Sequence, residues 1–173
     1  MRVADAPVLT AARLVVVFVV DGLRPDAITA EDTPTLFRLR AEGVDFANGH
    51  AVFPTVTRVN AAALATGTQP ATNGIPGNQM YVPALDPARA FSTDDHRALL
   101  RLDQATGGRL VPVATLGERL HAHGLRLAAV SSGSTGSALL LNPRAPAGVG
   151  VLVTAASIPA RPSPTRPTSA RRF

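Results

Sequence analysis

Seven consecutive apolar residues, Leu14–Val20, run directly into an aspartate at Asp21. Five of the seven are valine. The run is far short of the roughly 20 residues needed to span a bilayer. It also lacks the polar face of a surface helix. A continuous β-branched run of this length predicts a strand over Arg13–Val20, buried on both faces of a parallel sheet. Parallel sheets bind ligands at the carboxyl ends of their strands, so Asp21 falls where a ligand would sit. Arg2 and Arg13 precede the run, but Asp21 and Arg24 follow where a small-residue cleavage site would lie. The segment therefore reads as a strand rather than a secretory leader, with the cytoplasm as the default compartment.

The rest of the body alternates helix and strand. Asp32-Thr33-Pro34 supplies a cap and a first-turn proline for a helix through Leu36, Leu39 and Ala41, stopped by Gly43. A short strand is expected around Val44–Ala47. Val59–Thr66 predicts a helix of small residues ended by Gly67. Thr115-Leu-Gly-Glu118 matches a capping box, opening a helix that runs to about His123 before Gly124. Leu125–Ser131 and Val149–Val153 predict two further buried strands. Residues 79–110 read as irregular and polar, an insertion or lid rather than core. This is the grammar of an α/β fold with a mostly parallel sheet flanked by helices.

Composition narrows the function. The chain has 173 residues, enough for a real core, and no cysteine, which excludes disulfides and thiolate zinc sites. Its net charge of +5 suggests nucleic acid until the charges are located. Four of the 17 arginines (Arg161, Arg166, Arg171 and Arg172) lie beyond residue 160, leaving 13 against 12 Asp and Glu. The body is thus nearly neutral, with no basic stripe and no base-reading module. Eighteen of the last twenty residues, from Thr154 on, are Ala, Pro, Arg, Ser or Thr. Such a tail reads as disordered. The chain has no lysine, as expected of a GC-rich gene, and out-of-frame reading of such a gene yields this mixture. The abrupt change after Val153 therefore points to a frameshifted or truncated product, with a natural disordered tail as the alternative.

Three positions carry chemistry. Asp21 offers a hard oxygen ligand for a divalent cation, or else a turn aspartate before Gly22 and Pro25. Asp26 reads as the cap of the next short helix. Thr57 precedes the Val59–Thr66 helix, where free N–H groups and the helix dipole attract phosphate. Its hydroxyl is a weak nucleophile unless a base or metal activates it; the plain alternative is a helix cap. Thr55, two residues earlier, suits the incoming loop better. Asn78 lies in a Gly-Asn turn and could donate to a phosphoryl oxygen as charge develops there.

Taken in order, Asp21-Gly-Leu-Arg-Pro-Asp26, Phe53-Pro-Thr-Val-Thr57-Arg-Val-Asn60 and Thr66-Gly through Asn78 resemble the N-terminal part of the type I phosphodiesterase/nucleotide pyrophosphatase family, within the alkaline phosphatase superfamily. The resemblance covers roughly residues 13–153. It implies an alkaline-phosphatase-like fold and a small phosphodiester or nucleotide substrate. It also implies two zinc ions, one bound by Asp21 and contacted by the nucleophile Thr57, with Asn78 holding a phosphoryl oxygen. A phosphothreonine intermediate would then be hydrolysed by a metal-bound water.

The departures are specific. Asn73 stands where relatives often carry histidine, and Val59 replaces a usual proline before Asn60. Relatives complete their zinc sites with an Asp-x-x-x-His, an Asp-His pair and a further His from later in the domain. This chain has only His50, His96, His121 and His123. Asp95-His96 imitates the pair but comes too early. His121 and His123 end a helix, where cation–dipole contact is the ordinary role, and His50 reads as loop. The chain is therefore expected to fold poorly and to show little or no turnover. A non-catalytic fragment binding one metal or a partner is the alternative. A sulfatase or phosphomutase is disfavoured, since the nucleophile position holds threonine and no cysteine is present.

Overall fold

The computed structural model describes residues 14–154, and the predicted tail beyond Thr154 lies outside them. Two compact units divide at Asn48/Gly49.

In the first unit, Pro34 occupies the first turn of helix α1 (Pro34–Glu42), Thr33 holds its N-cap position and Gly43 ends it, as the sequence predicts. The Thr33 hydroxyl does not cap the helix. It donates instead to the Thr29 and Ala27 carbonyls, 3.3 and 3.4 Å away. The Arg40 guanidinium reaches back from α1 to the Pro25 and Ile28 carbonyls, both at 3.2 Å. It thereby steadies a 3-10 turn at Pro25–Ala27. Asp26 sits inside that turn, not at its cap, and is held by Arg24 at 2.7 and 2.9 Å. The strand predicted over Arg13–Val20 does not form: Leu14–Val20 takes no regular structure, and Val15 and Phe18 are 77% and 85% exposed. A strand needs a neighbour to complete its ladder, and neither sheet among the described residues includes this run. The short strand expected near Val44–Ala47 is absent for the same reason.

The second unit is built around two helices rich in small residues. Helix α2 (Thr57–Thr66) buries Val59, Ala61, Ala62, Ala63 and Ala65. Helix α6 (Thr135–Leu141) buries Gly136 through Leu140 and lies against α2. Ala61 and Ala62 of α2 and Leu139 and Leu140 of α6 share one buried cluster. Around this pair, Ile75, Leu99, Leu102, Leu110 and Val111 complete one hydrophobic cluster.

Residues 79–110 are not a polar lid. They hold a small antiparallel pair, β1 (Gln79–Met80) with β2 (Phe91–Ser92), followed by helix α4 (His96–Ala105). Ala98, Leu99 and Leu102 share one face of α4, which the core takes up. Between α2 and β1 a single turn of helix, α3 (Pro70–Asn73), buries Asn73. Its amide donates to the Thr68 carbonyl at 2.9 Å and accepts from Ile75 N at 3.0 Å, a purely local role.

The predicted capping box is present. Thr115 Oγ1 accepts from Glu118 N at 3.2 Å, and Glu118 Oε2 accepts from Thr115 N at 2.9 Å. It opens α5 (Leu116–Ala122). Because Thr115 is also buried, Thr115→Ala is expected to destabilise the chain by about 1 kcal/mol. A lowered urea midpoint with an unchanged slope would show it; an unchanged midpoint would remove the box from the stability account.

Strands β3 (Ala128–Ser131) and β4 (Val151–Thr154) pair in parallel, Ala128 opposite Val151, with α6 as the crossover between them. Two strands of a parallel sheet were predicted here, without the helix between them, and both are shorter than expected. Only Ala129 of β3 is buried, so the predicted deep burial of Leu125–Ser131 does not hold. The architecture is mixed α/β with two two-stranded sheets, and no large parallel sheet forms among the described residues. No helix among them is long and apolar enough to cross a membrane.

Candidate active site

The start of α2 is set by an unusual cap. Val56 occupies the N-cap position in extended conformation, and a valine side chain has nothing with which to cap the first-turn N–H groups. Thr57 is the first residue of the helix itself, two residues earlier than the predicted Val59, and is exposed. The simple-cap reading of Thr57 therefore gives way to a hydroxyl standing beside an end of positive dipole.

The loop that delivers Thr57 is gripped by a residue from inside α2. Asn60 Oδ1 accepts from Val52 N at 2.9 Å, while its Nδ2 donates to the Val52 and Val56 carbonyls at 3.2 and 3.1 Å. One amide thus ties both ends of the approach to Thr57. Thr55 lies within that loop and is exposed.

Arg58, the next residue, turns the other way. Its side chain is 16% exposed, its Nη1 meets Asp94 Oδ1 at 2.9 Å and its Nε donates to Thr93 Oγ1 at 3.1 Å. Thr93 in turn donates to the Asn78 carbonyl from both Oγ1 and the backbone N, at 2.8 and 2.9 Å. The helix turn bearing Thr57 and the loop bearing Asn78 are therefore joined through one buried threonine. The Asn78 Oδ1 atom is buried and makes no hydrogen bond among the described residues. Native proteins rarely leave such an atom unpaired, and where they do the position often serves a ligand.

Asp21 belongs to the first unit, in the turn after Leu14–Val20, where Gly22 takes the left-handed conformation with φ of 79°. Histidines are placed structurally. His96 is buried at the start of α4, with Nδ1 2.9 Å from Thr135 Oγ1 and 3.6 Å from Asp95 Oδ1. Asp95 caps α4 by accepting from Arg97 N at 2.9 Å. His121 is in the last turn of α5, and His123 closes it with Nδ1 2.8 Å from the Arg119 carbonyl. His50 is an exposed loop residue.

Among the described residues, no group of three or more His, Asp or Glu side chains is gathered closely enough to hold a metal ion. Within the second unit, Thr57 and Asn78 offer one hydroxyl and one amide, a donor set that does not fit two zinc ions.

Sequence reading passed over Arg58, Asn60, Thr93 and Asp94. An arginine directly after a candidate nucleophile was the available signal, but its partners lie 35 and 36 residues away. The family model described as Type I phosphodiesterase / nucleotide pyrophosphatase matches residues 15–139, a span that contains every one of these positions. No solved structure gives a match.

Proposed function

Because this chain belongs to the type I phosphodiesterase/nucleotide pyrophosphatase family, we propose that it is a phosphodiester hydrolase module acting through Thr57. The observation that supports this reading most is the first turn of α2, to which Val56 gives no side-chain cap, with Thr57 exposed on it and the Asn78 loop tied to its neighbour.

The chemistry follows from that placement. A phosphodiester oxygen docks against the first-turn N–H groups, where the helix dipole favours negative charge. Thr57 Oγ1 forms a bond to phosphorus as the bond to the leaving alcohol's oxygen breaks, and the hydroxyl proton ends on that alcohol. The Asn78 amide stabilises the phosphoryl oxygen as it gains charge. Water then attacks the phosphothreonine, releasing a phosphate monoester and restoring the hydroxyl. Metal dependence is general in the family, yet the donors described above do not fit a two-zinc centre, and no step here is assigned to one.

A second reading has its own support. With so few metal donors gathered among the described residues, the chain acts as a non-catalytic module that keeps the phosphate-binding loop and binds one metal or a partner.

Incubation of the purified chain with bis-p-nitrophenyl phosphate, with and without added zinc, separates the two. Mass spectrometry of the Thr57 peptide is expected to reveal a phosphoryl adduct together with released p-nitrophenol. Phosphate binding with neither adduct nor nitrophenol would favour the non-catalytic module.

A further inference from the structure

Thr93 occupies a position that neither its sequence neighbourhood nor the nucleophile loop announces. It is fully buried, 36 residues beyond Thr57. A hydroxyl has one proton to give and two lone pairs to receive. Here the proton goes to the Asn78 carbonyl at 2.8 Å, with the Gly77 carbonyl a weaker contact at 3.3 Å, and a lone pair receives Arg58 Nε at 3.1 Å. The polarity of the chain is thus fixed from guanidinium to hydroxyl to carbonyl.

The far side of Thr93 is equally constrained. Gly136 N, in the first turn of α6, donates to the Asp94 carbonyl at 2.8 Å. The approach is so close that a Cβ at Gly136 would run into the Thr93 carbonyl oxygen and meet the Asp94 carbonyl carbon at 2.8 Å. The segment Thr93–Asp94 is therefore pinned to the core by its backbone, while its side chains reach out to α2 and to Asn78.

We propose that Thr93 is a positioning residue for the Thr57–Asn78 site, its hydroxyl setting the separation between the helix turn that carries Thr57 and the loop that carries Asn78. This inference rests on the phosphate-binding reading of that site. Valine would keep the shape of Thr93 but remove both hydrogen bonds, leaving Arg58 Nε and one lone pair of the Asn78 carbonyl without a partner. Serine would keep both bonds and lose only a methyl group.

The test uses the full chain, labelled with 15N and titrated with inorganic phosphate. In the wild type, the Thr57 and Asn78 amide resonances are expected to shift together with one dissociation constant. Thr93→Val is expected to weaken phosphate binding at least about tenfold and to broaden the Arg58 Nε–H signal through faster exchange. Thr93→Ser should restore both. If the valine variant fails to give a folded spectrum, Asp94→Asn at the exposed end of the same clamp serves in its place, with weaker binding and a shifted Arg58 signal expected. A folded Thr93→Val or Asp94→Asn chain that binds phosphate as the wild type does would overturn the inference and leave the functional reading standing. So would a loss that serine does not repair. Phosphate that moves neither Thr57 nor Asn78 in the wild type would remove both.

Discussion

Thr57→Ala is expected to lower whatever phosphodiesterase turnover the zinc-supplemented chain supports on the order of a thousandfold or more. The reason is positional as well as chemical. Thr57 is the exposed first residue of α2, and the residue before it, Val56, supplies no cap. Removing the hydroxyl takes away the atom that would bond phosphorus. Thr57→Ser should retain turnover, because the oxygen stays at the same helix end. Initial rates with bis-p-nitrophenyl phosphate, alongside urea melts of all three chains, make the comparison. An alanine variant as active as the wild type would transfer the nucleophile role elsewhere, with Thr55 the nearest candidate.

Gly136→Ala is the second large effect, and it acts on the fold. A β-carbon there meets backbone on two sides, the Thr93 and Asp94 carbonyl groups, neither of which can swing away as a side chain would. Gly136 itself is buried in the first turn of α6, against the loop that anchors Arg58. Relief of the clash requires separating α6 from the Thr93–Asp94 segment, which breaks the hydrogen bond from Gly136 N to the Asp94 carbonyl and disturbs packed contacts. A destabilisation of about 3 kcal/mol is expected. That is a large share of a small domain's stability, roughly 5–15 kcal/mol. Thermal or urea unfolding monitored by circular dichroism would measure it. A variant with wild-type stability would show that α6 and the Thr93 segment have room to separate.

Much of the local structure was legible because its signals are local. Pro34 and Gly43 bracket α1, Gly67 ends α2 in the left-handed conformation at φ of 67°, and Thr115 with Glu118 marks α5. The parallel relation of β3 and β4 was also readable, from the alternation of helix and strand along the body. What escaped depends on distant partners. The run Leu14–Val20 declares a wish for burial but cannot say what will bury it, and no strand among the described residues pairs with it. Helix α4 was missed because Arg97, Arg101, Asp103 and Gln104 dilute its three buried apolar positions, and Asp95 was read only as part of an imitation of a metal-binding pair. Helix α6 begins with Thr-Gly-Ser, poor helix formers that only the contact with α2 makes sensible. Asp21, Thr57 and Asn78 could be singled out by residue type and order. The Arg58–Thr93–Asn78 connection could not, because no spacing rule relates residues 35 and 15 apart.

Helix α2 exposes its first residue, Thr57, and turns most of the rest to the interior, where four alanines and Val59 face the core and Leu64 is left outside. Turning the helix by a single residue, about 100°, would bring Leu64 into space made for alanine. Drift at position 57 can therefore change the group offered at this helix end while the core packing of α2 keeps its form. Re-aiming that group is another matter, since it demands a coordinated rebuilding of α6 and everything beneath it. In such a lineage the chemistry would vary sooner than the direction from which it is delivered.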